Sequence, residues 1–228
     1  MRAKKRLAII ASKIEKEKCV ADIGADHGYL TKILLEQKRA EKVIATDISE
    51  KSLQKSIDLS KRFGFENQIE TRVGNGFEPL RENEVDVAVV AGMGGQEIIK
   101  MLKTQNLKNI KKFIFQPAQN APELRKYLCE NGYEIVSDEI VQDQKKFYFT
   151  IMTTKNGKNE KLQNWQILFG KYAQNCKNGD FFDFLEEYIS KKQKLIDDKI
   201  ENKKIQEELK LALDLKKYKQ EGDIKCKE

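Results

Sequence analysis

Apolar positions along the first 150 or so residues switch repeatedly between helical and strand periods. Leu7, Ile10, Ala11 and Ile14 recur at helical spacing and predict an opening amphipathic helix. Short apolar runs then alternate with helical patterns. Cys19 to Ile23 reads as a strand, Tyr29 to Glu36 as a helix, Lys42 to Thr46 as a strand, Lys51 to Phe63 as a helix and Ile69 to Val73 as a strand. The run VDVAVVA, Val85 to Ala91, is apolar on both faces, as a central strand covered by helices must be. Gln96 to Lys103 predicts a helix, Lys112 to Phe115 a strand, and Pro122 to Glu130 a helix closed by Asn131-Gly132. Tyr133 to Ile140 and Phe147 to Thr153 are two further strands, whose connection QDQKK is short enough for an antiparallel hairpin. The alternation predicts an α/β fold, a Rossmann-like doubly wound sheet that is mostly parallel and closes in an antiparallel hairpin.

The pattern changes near Thr154. The stretch KNGKNEK has no periodicity and nothing after it carries a strand signal, so the chain divides into a domain over 1–154 and a small all-α domain over 155–228. Pro79, Pro117 and Pro122 all precede this point, and nothing between Gly179 and Gly222 breaks a helix. At about 1.5 Å per residue such a helix reaches roughly 60 Å. Leu185, Ile189, Ile196 and Ile200 make a seam, and the step to Ile205, Leu209 and Leu213 shifts its register. This predicts a coiled-coil hairpin, residues 160–176 against a long arm kinked near Asn202; a single solvent-bridging helix is the alternative.

Composition narrows the function. With 228 residues, 39% of them hydrophobic and 35% charged, part of the chain is folded and part unusually solvated. No apolar run approaches a membrane span and no basic-then-apolar leader opens the chain, which argues against insertion and secretion. Cys19, Cys129, Cys176 and Cys226 are far apart, and His27 is the one histidine, so neither a zinc site nor a disulfide framework is expected and a reducing cytoplasm fits. The net charge of +7 is uneven. Residues 1–18 carry seven Lys/Arg against two Glu, residues 19–152 carry 19 basic against 20 acidic side chains, and residues 153–228 carry 17 against 14. Basic flanks around a near-neutral middle suit a polyanion, with Arg2, Lys4, Lys5 and Arg6 as candidate contacts; solvated helix faces are the plain alternative.

Candidate chemistry gathers at the strand ends. VADIGADHGYL, residues 20–30, stands where the first strand turns into the first helix of the alternating series. A dinucleotide fold places G-x-G-x-x-G here to bring backbone to a pyrophosphate, but this loop has only Gly24 and Gly28, with Asp22 before and Asp26 between. Two carboxylates repel a pyrophosphate and suit a cofactor carrying an ammonium and a sulfonium, which favours S-adenosylmethionine over NAD; a tight structural turn is the bland reading. Asp47 ends the second strand, where a carboxylate can accept both ribose hydroxyls, and Ile48 beside it can cover an adenine face. Asn75-Gly76 follows the third strand, an amide for the adenine edge and a glycine for close approach. The fourth strand ends in Gly92-Met93-Gly94-Gly95, at the rim where open α/β sheets bind ligands. Gly94 and Gly95 clear space for a bulky substrate, and Met93 is either an adaptable surface for a flat base or a packing residue. The [DN]-P-P-[YFW] pattern frequent in methyltransferases acting on amino nitrogens is absent, which favours a ring atom as target.

ADIGADHGYL, the strand-end Asp47, GNGFEPL, VVAGMGG, FIFQPAQN and the closing pattern from Glu139 to Tyr148 together resemble the bacterial tRNA (adenine(22)-N1)-methyltransferase family over most of residues 3–152. The resemblance implies a class I S-adenosylmethionine-dependent methyltransferase domain, tRNA as substrate and a C-terminal coiled-coil domain as a tRNA-binding arm. Gly28 stands where alanine is common in that family, and QPAQN is one residue longer than a plain Q-P-N, which touches the cofactor loop and the target-base side.

Adenine N1 has an in-plane lone pair and needs no deprotonation, and the methylated base is a cation. The enzyme must align nucleophile, methyl and sulfur and favour the charge that develops on the base. A carboxylate accepting a hydrogen bond from the N6 amino group does both, and Asp26 is the acid best placed for it. His27 and Tyr29 flank it as further catalytic candidates, with packing as the alternative for each. Two rival readings remain: a methyltransferase acting on a small molecule or protein, and a non-catalytic RNA-binding protein that keeps the cofactor fold. The chain is expected to act in the cytoplasm, without metal or membrane, as a monomer or weak dimer.

Overall fold

A computed structural model describes residues 5–198 and 202–225, with side chains described as far as Lys219. The opening pattern folds as α1 (Lys5–Ser12), and Leu7, Ile10, Ala11 and the following Ile14 are all buried. Strands and helices then alternate: β1 (Glu17–Ile23), α2 (Tyr29–Glu36), β2 (Ala40–Asp47), α3 (Glu50–Arg62), β3 (Ile69–Val73), β4 (Val87–Ala91), α4 (Gly95–Thr104), β5 (Lys112–Gln116), α5 (Ala121–Glu130), β6 (Tyr133–Asp143) and β7 (Lys146–Lys155). They form one seven-stranded sheet in the order β3-β2-β1-β4-β5-β7-β6. Neighbours from β3 to β5 are parallel, whereas β7 runs antiparallel to both β5 and β6.

Side-chain alternation assigns the two faces. On β5, Ile114 joins the cluster built by Leu7, Ile10, Leu30, Leu34, Val87 and Val89, so α1 and α2 cover that side. Phe113 and Phe115 point the other way, their rings 5.7 Å apart, and Phe113 meets Phe77 and Tyr133. Strand β4 starts at Val87 rather than Val85 because Asp86 brackets Cys19: its N–H donates to the Cys19 carbonyl at 2.9 Å and its carboxylate accepts the Cys19 N–H at 2.8 Å. The β6–β7 hairpin is tighter than the sequence implies, since Asp143 pairs with Lys146 across a turn whose Gln144 is left-handed at φ 59°.

Two ion-pair groups secure the margins. On the edge strand β3, Arg72 lies between Glu70 and Glu84; hydrogen bonds from Arg72 and Lys42 hold the Glu70 carboxyl down at about 2. Between α5 and β6, Arg125 and Asp138 pair at 2.7 Å with both side chains fully buried, and the Phe149 ring covers the guanidinium at 4.2 Å.

The chain forms two compact units, Met1–Lys161 and Leu162–Glu228. In the second, α6 (Asn164–Phe169) and a 3-10 turn (Ala173–Asn175) precede α7 (Gly179–Asp197) and α8 (Lys203–Lys225). Pattern alone predicts residues 160–176 packed on a long arm kinked near Asn202; the arm is interrupted at that point, but as two separate helices that pair with each other. The break falls where Asn202 caps α8, its side-chain oxygen accepting the Lys204 N–H at 2.9 Å, which supplies a start signal that no proline or glycine supplied as a stop. Tyr188 donates to Glu208 at 2.9 Å and Lys216 pairs with Glu186 across the two helices. Their seam is Phe181 and Leu185 against Leu209, Ala212 and Leu215, while Leu213, expected on the seam, is exposed. Lys219 is buried on this seam and donates to the carbonyls of Ala173, Gln174 and Cys176, closing the end of the 3-10 turn.

Replacing one partner of the Arg125–Asp138 pair strands a buried charge, at a cost of about 3–5 kcal/mol, whereas removing both charges costs less. Urea titrations of Asp138→Ala are therefore expected to show a large loss of stability. The double variant Arg125→Met/Asp138→Leu should recover much of it.

Candidate active site

The parallel strands end along one rim, at Ile23, Asp47, Val73, Ala91 and Gln116. The segments that follow them, with α1 and α4, line a cleft of about 900 Å³. Its floor is the β1–α2 loop, which is stitched to β2 by the N–H groups of Gly24 and Ala25 donating to the Thr46 carbonyl at 2.8 and 3.0 Å. Asp22 reaches the cleft from β1 with only 3% of its surface exposed. Burial pushes its carboxyl up to about 6, and the Thr31 hydroxyl, donating at 2.9 Å, only partly offsets this. Asp47 closes β2 and orders the loops beside it, accepting the Asp26 N–H at 3.2 Å on one oxygen and the Ser49 N–H at 2.8 Å on the other. A carboxylate has about four acceptor positions, so both oxygens keep capacity for a ligand.

Asn75 and Gly76 line the next stretch of wall, where the Thr46 hydroxyl donates to the Gly76 carbonyl at 3.1 Å. The C-terminal half of α4 closes in on them: Gln105 accepts the Phe77 N–H at 2.8 Å, and a Cβ on Gly76 would lie 2.6 Å from both Gln105 Oε1 and Met101 Sδ. Ile48 stands exposed at the rim. On the opposite side, Gly92 and Met93 follow β4, tied to the β5 end by Gly92 N–H donating to the Gln116 carbonyl and Ala118 N–H to the Met93 carbonyl. The Met93 methyl lies over Gly24, where a Cβ would sit 2.5 Å from it. Glycine there keeps the floor open to a side chain that moves.

Asp26 sits above the floor with left-handed backbone, φ 48°, and a largely exposed carboxylate. His27 Nδ1 lies 2.7 Å from Asp26 Oδ2, its Nε2 lies 3.1 Å from Lys55 Nζ, and its ring stacks on Tyr29 with 5.8 Å between centroids. This order makes Nδ1–H the donor to Asp26 and leaves Nε2 to accept from Lys55. Among the described residues Asp26 Oδ1 has no partner.

The structure thus brings Asp22, Gly24, Asp26, His27, Tyr29, Asp47, Ile48, Asn75, Gly76, Gly92, Met93 and Arg6 to one cleft. It places three others elsewhere. Gly28 caps α2 at φ 69°, and a Cβ there would lie 2.8 Å from Ser56, so its smallness serves the approach of α2 to α3. Gly94 caps α4, its N–H donating to Glu97 at 3.0 Å, and Lys5 is exposed outside the cleft. Arg2 and Lys4 lie outside the described residues. Sequence reasoning did not anticipate Glu97, Lys100, Met101, Thr104 and Gln105, which come from α4 and its C-cap. Their only sequence signal was a position one helix after a glycine-rich strand end.

The donor set is acidic, with Asp22, Asp26, Asp47 and Glu97 against Arg6 and Lys100. It offers a buried carboxylate for an ammonium, a strand-end carboxylate for a diol and amides for a purine edge, and the loop into α2 carries acids where a pyrophosphate site has G-x-G-x-x-G. That set fits S-adenosylmethionine. Among the described residues there is no acid, histidine and cysteine cluster able to hold a metal, and no helix long and apolar enough to cross a membrane.

Residues 3–152 match the family model for a methyltransferase domain. A Mycoplasma genitalium protein provisionally assigned as a tRNA methyltransferase is 33% identical over 179 residues, 77% of this chain and 80% of its own. The tRNA (adenine(22)-N(1))-methyltransferase of Bacillus subtilis is 29% identical over 150 residues, covering 65% of this chain and 63% of that one. The structure of M. capricolum TrmK in complex with S-adenosyl-homocysteine superposes with a TM-score of 0.76 at 27% identity, over 96% of this chain and 97% of that one.

Proposed function

Since the chain belongs to the methyltransferase-domain family that its residues 3–152 match, we propose that it transfers a methyl group from S-adenosylmethionine to N1 of adenine 22 in tRNA. The observation that carries this is the convergence of three successive strand ends, Asp22 with Gly24, Asp47, and Asn75 with Gly76, on one acid-rich cleft bordered by Gly92 and Met93. The relatives named as tRNA methyltransferases, one of them specific for adenine 22 N1, supply the substrate. The test is direct: incubation with unmodified tRNA and labelled donor, followed by nucleoside digestion, should yield 1-methyladenosine at position 22. Label in protein or small molecules only, or in another nucleoside, would overturn the assignment.

The cofactor brings an electrophilic methyl on a sulfonium. The chain's part is to hold and orient it. In this reading Asp22 faces the cofactor's ammonium, Asp47 the ribose hydroxyls, Ile48 an adenine face, and Asn75 with Gly76 the adenine edge, while Gly24 and Gly92 let the backbone approach. Gly28 supports the same loop through its packing on Ser56. Met93 offers a surface for the target base, and Gly94 next to it starts α4. Asp26, whose Oδ2 is engaged by His27, uses Oδ1 to accept from the N6 amino group of that base, with His27 and Tyr29 holding the carboxylate in place. Residues 1–154 are the catalytic domain, and residues 155–228, together with the basic residues Arg2, Lys4 and Lys5, grip the tRNA backbone. One chain supplies every residue named, which fits a cytoplasmic monomer or weak dimer.

Asp22 gives the cofactor site a pH signature. A bound ammonium favours the ionised carboxyl and lowers its pKa, so affinity should rise with pH and level off above about 6. Calorimetric titration with S-adenosylhomocysteine should show weaker binding at pH 5 than at pH 7.5, with proton release near pH 5.5 visible as buffer-dependent heat. Asp22→Asn should bind weakly at both.

Asp26→Asn should leave cofactor affinity intact and slow single-turnover methylation by about 100-fold, the scale of one lost transition-state contact. A rate equal to the parent's would remove Asp26 from the mechanism.

The tRNA grip is tested by salt. Lys194, Lys203 and Lys210 are exposed on α7 and α8. If they meet phosphates, changing all three to Gln should flatten the plot of log affinity against log salt by about 2 to 3. An unchanged slope would assign the arm to another task.

A further inference from the structure

Arg6 is a cation held inside an acidic cleft by an arrangement that its place in a basic leader does not require. Its main chain is fixed at both polar atoms: the N–H donates to Asp143 at 3.1 Å and the carbonyl accepts from Gln116 Nε2 at 2.9 Å. Its guanidinium is aimed by two further contacts, Nη1 donating to Gln116 Oε1 at 3.1 Å and the Tyr148 ring lying 5.4 Å from Cζ. Gln116 is fully buried and has every polar group engaged, its second donor contact being the Thr150 hydroxyl at 2.9 Å. A buried glutamine with no spare capacity fixes the geometry of whatever it holds. Among the described residues, Nε and Nη2 of Arg6 have no acceptor, and Arg6 lines the cleft.

The sheet order says what faces it. Gln116 pairs with Ala91 at the end of β4, so Arg6 stands beyond β4, while Asp47 ends β2 on the far side of β1. From β2 across β1 to β4 is about 10 Å at ordinary strand spacing. A cofactor with its ribose at Asp47 and its ammonium near Asp22 therefore extends its amino-acid end toward Arg6. That end carries a carboxylate, which meets Asp22, Asp26 and Glu97 as repulsive neighbours unless a cation intervenes. Lys100, the other cation lining the cleft, stands beside Met101 and one turn before Thr104, on the segment of α4 that faces Gly76 and thus the adenine end.

We propose that Arg6 binds the carboxylate of the cofactor's methionyl end, with Gln116 and Tyr148 as the residues that position it. The planar guanidinium fork matches a carboxylate with two parallel N–H donors. This assigns Arg6 to the cofactor rather than to the tRNA backbone, and it gives FIFQPAQN and the closing KFY segment a shared task. It rests on the reading of the cleft as an S-adenosylmethionine site.

The test compares two ligands that differ by the carboxylate alone: S-adenosylhomocysteine and its decarboxylated analogue, S-adenosyl-3-thiopropylamine. Calorimetric affinities are measured on the full chain for the parent, Arg6→Gln and Gln116→Leu. Arg6→Gln should weaken S-adenosylhomocysteine by roughly 10- to 100-fold, the scale of lost charge-assisted hydrogen bonds, and leave the analogue unchanged. Gln116→Leu should give a smaller loss, again confined to the ligand with the carboxylate. Equal losses for both ligands would mean a general disturbance of α1 and would overturn the assignment. So would unchanged S-adenosylhomocysteine affinity in Arg6→Gln, and if that variant also showed a flatter salt dependence of tRNA binding, Arg6 would be a phosphate contact. A parent that binds neither ligand would overturn the cofactor reading itself, a result distinct from either failure of Arg6.

Discussion

A carboxylate buried at the end of a central strand is the constraint around which this cleft is arranged. Asp22 accepts from Thr31 on α2 and lies beside the like charge of Asp47, and among the described residues no cation pairs with it. Burying an ionised carboxyl without a partner is costly, and the group responds by holding its proton to about pH 6 instead of 3.8. For stability this has a definite sign. The folded chain retains a proton that the unfolded chain has given up, so the contribution of Asp22 is present below about pH 4 and is lost as pH rises through about 6. A site that is least comfortable at neutral pH when empty is one whose comfort comes from a cationic ligand. The β1–α2 loop that carries it is correspondingly held by main-chain hydrogen bonds to β2, independent of that ligand.

The remaining charges of the cleft follow from the same demand. S-adenosylmethionine is cationic at sulfur and nitrogen but anionic at its carboxyl end, so an entirely acidic site would repel one third of its charged groups. Asp47 and Asp26 stand on the β2 and β1 side, whereas Arg6 is brought in from α1 at the β4 and β5 side and locked by Gln116. The α1 helix is thereby more than a basic leader. Leu7 and Ile10 seat it on the sheet, and its only described arginine is turned inward.

How much of this the sequence revealed depended on whether the signal was local. Helix α2 was legible to the residue, because Gly28 and a compact apolar pattern mark both its start and its extent. Asp22, Asp47 and Asn75 were legible because a parallel sheet puts strand ends on one rim and each strand was apolar enough to locate. The contribution of α4 was not, since which helix face meets the β3 loop depends on the approach of Met101 and Gln105 to Gly76, a distance no periodicity encodes. The arm was legible in part: the register shift marks its interruption near Asn202, but nothing local marks the fold-back of α8 on α7. The boundary is marked by the side chain of Asn202 capping α8, and once the helices fold back the seam passes through Ala212 and Leu215 and leaves Leu213 outside. The pairing of Arg6 with Gln116, 110 residues apart, had no sequence signal at all.

Methyl transfer to a ring nitrogen moves a positive charge without creating or destroying one: the sulfonium becomes a neutral thioether and the base becomes a cation. The net acidity of the cleft therefore does not favour the reaction, because it stabilises the charge at both ends of the path. Only a gradient does. Carboxylates nearer the sulfur than the base would hold the reactant back, and those nearer the base would draw the charge forward. In the proposed reading Asp22 and Asp47, on the floor and far wall of the cleft, face the ammonium and ribose, where their interaction changes little as the methyl moves. Asp26 is the largely exposed acid of the β1–α2 loop, on a left-handed residue whose backbone is tied to Asp47 and Ser56 and whose carboxylate is steadied by His27. If Asp26 faces the incoming base as proposed, those tethers hold its charge on the side toward which the field must rise for the transfer to be favoured.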